Sequence, residues 1–225
     1  MEVKGGARMK KSIYSVVLSE DVVNEIDRMA YRLGTNRSGL INQILAEYVA
    51  YETPEKKNRE ILEGVCRMME SRDGIRNVST ASVSGATFQS AISYKYNPSV
   101  RYHVEMYRTA RGAIGELRVS MRTQNLVLQE LIVTFFRLWS AVEGATTGRE
   151  VQRLENGKLF RYFVPRDGES LSNERISLVI SEYIQAFDNA MKTFFSFADR
   201  PALAAKWVEK IYLEYYGKNG RQAVL

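Results

Sequence analysis

The chain has 225 residues, with 32 Lys+Arg against 26 Asp+Glu and a net charge of +6. Its 45% apolar and 11% aromatic content excludes a disordered chain, and no apolar run approaches the roughly 18–20 residues that span a bilayer. One cysteine, Cys66, excludes an internal disulfide, and one histidine, His103, argues against an all-protein zinc site.

At roughly 150 residues per domain, the length allows one large domain or two smaller ones. The charge is unevenly placed. Residues 1–11 hold four bases and one acid, residues 20–27 hold four acids and no base, and residues 73–225 hold 20 bases against 15 acids. A basic excess permits a nucleic-acid partner without demonstrating one. Met1 to Lys11 has no apolar stretch behind its charges, so the expectation is a soluble, cytoplasmic protein without a secretory signal or membrane partner.

Residues 1–11 read as a basic arm, expected to be mobile. Ile13 to Leu18 is rich in β-branched and aromatic residues and predicts a short strand. Ser19 is a good N-cap for a helix from Glu20, with acids in the first turn and Val22, Val23, Ile26, Met29, Ala30 and Leu33 at the helical period. Gly34 ends that helix, and Asn36 caps a second one whose apolar face is Leu40, Ile41, Ile44, Leu45, Tyr48 and Val49. Pro54 marks a boundary, and residues 53–87 read as a helix (Glu55 to Met69) and a linker (Ser71 to Thr87).

Beyond it, residues 88–225 predict an α+β domain. Three strands, about Phe88 to Tyr96, Val100 to Arg108 and Ile114 to Arg122, form an antiparallel meander. An apolar helix covers roughly Asn125 to Val142, a hairpin turns at Asn156-Gly157, and two helices run from Ser172 or Asn173 to Phe195 and from Pro201 to Tyr216. The expected fold class is therefore α+β, with an antiparallel sheet and helices packed against it.

A six-residue strand and two helices, residues 12–52, bury little core and leave both strand edges unpaired; a second copy cures both faults. The order Lys-Lys-Ser-Ile-Tyr-Ser-Val-Val-Leu-Ser-Glu-Asp-Val-Val, then Leu-Gly-Thr-Asn-Arg-Ser-Gly-Leu-Ile, resembles a ribbon-helix-helix DNA-binding domain of the Arc/MetJ/CopG type over about forty residues. The resemblance implies a homodimer, or a higher oligomer, whose two-stranded ribbon enters the major groove of double-stranded DNA. It also implies that Leu18 faces the core and that Ile13, Ser15 and Val17 face bases. Ser15 can hydrogen-bond a base edge, while Ile13 and Val17 offer apolar contact to thymine methyls. The start of the second helix, with Asn36, Arg37 and Ser38, is expected on a DNA phosphate, and Lys10 and Lys11 at the strand entrance on others. An apolar outer ribbon face is also compatible with a protein-binding strand.

The larger half carries no nucleophile elbow, Walker loop or dinucleotide fingerprint, so no enzyme, cofactor or metal is expected. His103 is expected in a structural, exposed or half-buried place, and Cys66 in a buried one. The aromatic helices line a ligand pocket or form plain core. The charged strand face (Arg101, Arg118, Arg122, Glu105, Glu116) is solvated or meets a protein. The expected function is a sequence-specific transcriptional regulator such as a repressor, whose second domain serves sensing or assembly through a ligand, a protein or itself. The alternative is a protein–protein adaptor or antitoxin-like partner.

Overall fold

The computed structural model describes residues 15–49, 51–71, 74–78, 84–95, 97–166 and 171–219, and the chain divides into two units, Met1–Lys57 and Asn58–Leu225.

In the first unit, local signals set two helices. Helix α1 (Glu20–Arg32) starts after Ser19, which is extended at the N-cap; its hydroxyl makes no capping hydrogen bond, contrary to expectation. The acids Glu20 and Asp21 in the first turn face the positive end of the helix dipole instead. At the other end Gly34 takes φ +62°, the left-handed value that favours glycine. The Gly34 N–H then donates to the Tyr31 carbonyl at 3.2 Å and the Thr35 N–H to the Ala30 carbonyl at 2.9 Å, the paired bonds of a Schellman motif. Helix α2 (Arg37–Tyr48) is capped by Asn36, whose Oδ1 accepts from the Gly39 N–H at 2.8 Å.

Ile13 and Tyr14, the start of the expected strand, lie outside the described residues. Ser15 to Ser19 belongs to no helix or strand. A strand is defined by its partner, and a ribbon of this kind would take its partner from another copy of the chain.

Helix α3 (Pro54–Glu70) leads from the first unit into the second. Pro54, expected as a boundary, stands at the first helical position, where its missing N–H costs nothing. Ile61, Leu62, Val65 and Met69 of α3 are buried in the second unit's core.

That core lies against a six-stranded antiparallel sheet ordered β1-β2-β3-β4-β6-β5, built from β1 (Ile75–Asn77), β2 (Gly85–Ala91), β3 (Ser99–Arg111), β4 (Ala113–Met121), β5 (Gln152–Glu155) and β6 (Lys158–Phe163). Period-two alternation places Phe88, Tyr102, Val104, Leu117, Val119 and Phe163 on the buried face. Helices α4 (Leu126–Thr147), α5 (Asn173–Ser196) and α6 (Pro201–Asn219) complete the unit. Asn156 at φ +49° and Gly157 at φ +69° form the expected two-residue hairpin turn between β5 and β6.

Three segments differ from expectation, the first being the strand expected over about Phe88 to Tyr96, which ends at Ala91. Ser71 to Thr87, expected as a linker, carries β1 and the start of β2. Three residues with one buried side chain give no alternation to read, and only pairing with β2 makes Ile75–Asn77 a strand. Helix α4 continues past Val142 to Thr147, ending at Gly148 in the left-handed region, because Glu143 occupies the buried stripe instead of ending it.

Candidate nucleic-acid interface

The residues expected to meet DNA are carried by the first unit. Lys10, Lys11 and Ile13 lie outside the described residues. Ser15 is exposed, and along the same segment exposure falls from 99% at Val17 to 38% at Leu18. Asn36, Arg37 and Ser38 are exposed at the start of α2.

The local chemistry there is specific. Asn36 occupies the Gly39 N–H, so helix geometry leaves the Arg37 and Ser38 N–H groups without an intrahelical acceptor. A Cβ on Gly39 would lie 2.9 Å from Thr35 Oγ1 and 3.2 Å from Asn36 Oδ1, so the cap is built against a bare glycine. Two N–H groups at the positive end of a helix can receive an anion.

The Arg37 guanidinium is engaged elsewhere. Its Nε donates to Asp27 Oδ1 at 2.7 Å, and its Nη2 donates to Asp27 Oδ2, a fork-on-fork pair between α2 and α1. The hydrogen bond from Arg37, aided by its charge, holds the Asp27 carboxyl below its ordinary value, and Asp27 raises that of Arg37 in return. Sequence reasoning missed Asp27; the signal available was the run of four acids in residues 20–27, the last of them Asp27.

The second unit holds a buried polar network that also escaped notice. Glu143 and Arg161 side chains are each 2% exposed. Arg161 donates to Glu143 Oε1 from Nε at 3.2 Å and from Nη2 at 3.0 Å. The Tyr183 hydroxyl donates to Glu143 Oε2 at 2.8 Å, and Gln152 Nε2 donates to the same oxygen. Trp139 Nε1 in turn donates to the Tyr183 hydroxyl at 2.7 Å. Burial works most strongly against the Arg161 charge, but Glu143, Tyr183 and Tyr215 beside it together hold the guanidinium above its ordinary value. The sequence signal was a charge on each apolar pattern: Glu143 follows Trp139 by one helical turn, and Arg161 stands between inward Leu159 and Phe163.

The network sits in packed surroundings. Phe135, Trp139, Tyr183 and Tyr212 ring centroids lie 5.1–6.2 Å from ring neighbours, so these aromatics fill the core. A cleft of about 150 Å³ beside α3 and α5, lined by Glu60, Glu63 and Asn173, is below the roughly 300 Å³ at which small-molecule sites begin. A wider hollow of about 510 Å³ lies along one face of α6 alone. Among the described residues, no group of three or more His, Cys, Asp or Glu could hold a metal ion.

His103 stands half-buried on the outer face of β3, with Nδ1 2.9 Å from Thr87 Oγ1 and Nε2 4.0 Å from Glu105 Oε2. Cys66 is buried, and burial pushes its thiol up.

Among the described residues, the chain is a mixed α/β protein with six helices and one antiparallel sheet of six strands. No helix of these residues is long and apolar enough to cross a membrane. Compared with family models, curated proteins and solved structures, the chain matches none.

Proposed function

We propose that the chain is a sequence-specific DNA-binding transcriptional regulator that dimerises through its first unit as a ribbon-helix-helix protein. The observation that supports this most is where apolar surface is left uncovered. Twelve of the eighteen exposed large apolar side chains among the described residues fall between Val16 and Tyr51. Among the described residues of the same stretch, the buried apolar ones are Ala30, Leu40 and Ala46, too little for a core.

Val22, Met29, Leu33, Ile44 and Leu45 project from α1 and α2 into solvent in the single chain. They are 42–59% exposed, so covering each with a second copy contributes about half of the roughly 1.5–3 kcal/mol of full burial. The two extended segments then pair as a ribbon, offering Ser15 and Val17 to the major groove. The Arg37 and Ser38 N–H groups receive a phosphate on either side of it. Base contacts from Ser15 and thymine-methyl contacts from Val17 supply modest direct readout, and DNA shape supplies the remainder.

Binding of random duplex DNA across a range of salt tests this reading. Phosphate neutralisation releases counterions, so log affinity falls linearly with log salt. A slope near zero overturns DNA binding, and a monomeric mass in sedimentation overturns the dimer. The adaptor reading is favoured by one observation, the pairing of Arg37 with Asp27, which takes a cation away from phosphate. A dimer with zero salt slope would establish it.

A further inference from the structure

The outer face of the second unit's sheet has a chemistry that the reading above leaves unused. Strand register sets its rows. Thr87, His103, Arg118, Phe160 and Arg153 stand side by side across β2, β3, β4, β6 and β5. The next row is Arg76, Gln89, Arg101 and Ser120, from β1 to β4. All nine are exposed or half-buried, while the buried face of the same strands carries the core.

These two rows contain four arginines and no acid. The acids lie to one side: Glu105 and Glu116 form the row on the far side of the His103–Arg118 row from Arg101, and Glu155 sits at the end of β5. These acids engage Arg118 and Arg153 of the first row in turn, so Arg76 and Arg101 of the second row carry most of the attraction for a polyanion. Glu116 accepts from the Tyr107 hydroxyl at 2.7 Å and from Arg118 at 2.9 Å, Glu105 lies 3.8 Å from Arg118, and Glu155 lies 3.0 Å from Arg153. Within the first row, the Phe160 ring lies between two guanidiniums, those of Arg118 and Arg153, each 5.1 Å from its centroid.

We propose that this face binds single-stranded nucleic acid running across the β-strands along the arginine rows. Charge complementarity selects a polyanion, since a cationic stripe on a flat surface attracts a backbone of phosphates. The Arg118 and Arg153 guanidiniums, held over the Phe160 ring, present planar faces on which only unpaired bases can stack. Gln89 and Ser120 beside them have donors and acceptors that can meet base edges. Double-stranded DNA fits less well: five strands at about 4.8 Å spacing make a face about 19 Å wide, against a major groove of about 12 Å. An acidic peptide would use the arginines but leave the aromatic platform idle. This inference concerns the second unit and stands whether or not the first unit binds duplex DNA.

The test uses the full chain and a fluorescent oligo(dT) or oligo(U), followed by anisotropy across a salt range. Binding with a negative salt slope is expected. Arg76→Ala and Arg101→Ala should each flatten that slope by about 0.7. Phe160→Leu should weaken binding at least about five-fold at fixed salt while leaving the slope alone. Ultraviolet cross-linking should place the adduct within residues 153–162, around the ring. The two arginines are exposed, so their variants decide the matter even where Phe160→Leu harms folding. No binding, binding indifferent to both arginine variants, or adducts confined to residues 1–57 would each overturn the proposal. So would displacement by poly-Glu at an affinity that both oligonucleotides share.

Discussion

Asp27→Asn isolates the restraint on Arg37. The change keeps the side-chain shape but removes the carboxylate that receives both arms of the guanidinium. An amide can accept one of those bonds; its NH2 group then faces the second donor without accepting it. The guanidinium is freed at the start of α2, which makes two in the proposed dimer. Each phosphate newly neutralised steepens the dependence of log affinity on log salt by about 0.9, so a dimer gains up to about 1.8 in slope. The lost negative charge itself has a range of only about 8–10 Å at ordinary ionic strength, which confines the effect to Arg37 and its phosphate. Both partners are exposed, so the melting temperature should scarcely move. Anisotropy titrations of random duplex DNA, with the wild type, Asp27→Asn, Arg37→Ala and the double variant, give the full cycle. Asp27→Asn should act only where Arg37 is present. An unchanged or flatter slope, or an equal effect on the Arg37→Ala background, refutes the restraint. A wild-type slope of zero would instead refute the DNA reading as a whole.

Glu143→Gln leaves the buried Arg161 guanidinium without its counter-charge and should cost about 3–5 kcal/mol. At about 2–4 °C per kcal/mol for a unit of this size, calorimetry should record a fall of roughly 6–20 °C, and a fall below about 2 °C would show that the network supports little. Gly64→Ala would place a Cβ 2.5 Å from Ser177 Oγ and 2.8 Å from its Cβ. Overpacking of about 1–3 kcal/mol should outweigh the roughly 1 kcal/mol that Ala gains in a helix, so a stabilised variant would contradict the close α3–α5 contact. Burial, and then the Arg118 charge, hold His103 below the ordinary imidazole value. Its ring proton, the one histidine signal in the spectrum, should therefore titrate below pH 6.5. The unfolded chain takes up that proton first, so stability is full above about pH 6.5 and falls as pH drops below it; His103→Gln should flatten the fall. A midpoint at or above 6.5 would contradict the half-buried ring.

Elements announced by local chemistry were legible in the sequence. Gly34, Asn36 and the Asn156-Gly157 turn each act within a few residues, and the structure has all three where the chain announces them. The meander was legible as well, because period-two alternation repeats over several strands; the register that aligns Arg118 with Phe160 was not. Strand β1 was hidden because its cause lies in β2, across the hairpin. The charged pairs were hidden for a related reason. Glu143 and Arg161 stand 18 positions apart, Asp27 and Arg37 stand ten apart, and each partner alone looks like an interruption of a pattern. Of the candidate site, the capped start of α2 was legible down to its hydrogen bond, whereas the engagement of Arg37 was not. The proposed pairing of two extended segments would be a property of two chains, so a single chain has no partner strand to set beside Ser15 to Ser19.

The net charge of +6 takes its meaning from how each unit handles burial. The second unit encloses its apolar residues, and inside that enclosure a charge persists only with a partner, as Glu143 does with Arg161. Its surplus arginines are therefore found on the open sheet face, where Arg76 and Arg101 are exposed. The first unit inverts this arrangement, holding Arg37 on Asp27 while leaving α1 and α2 apolar toward solvent. In the proposed dimer, association would come first, because the uncovered side chains of this unit are apolar. It would bring two helix starts and two extended segments to one surface, and charge would then act on an assembled site.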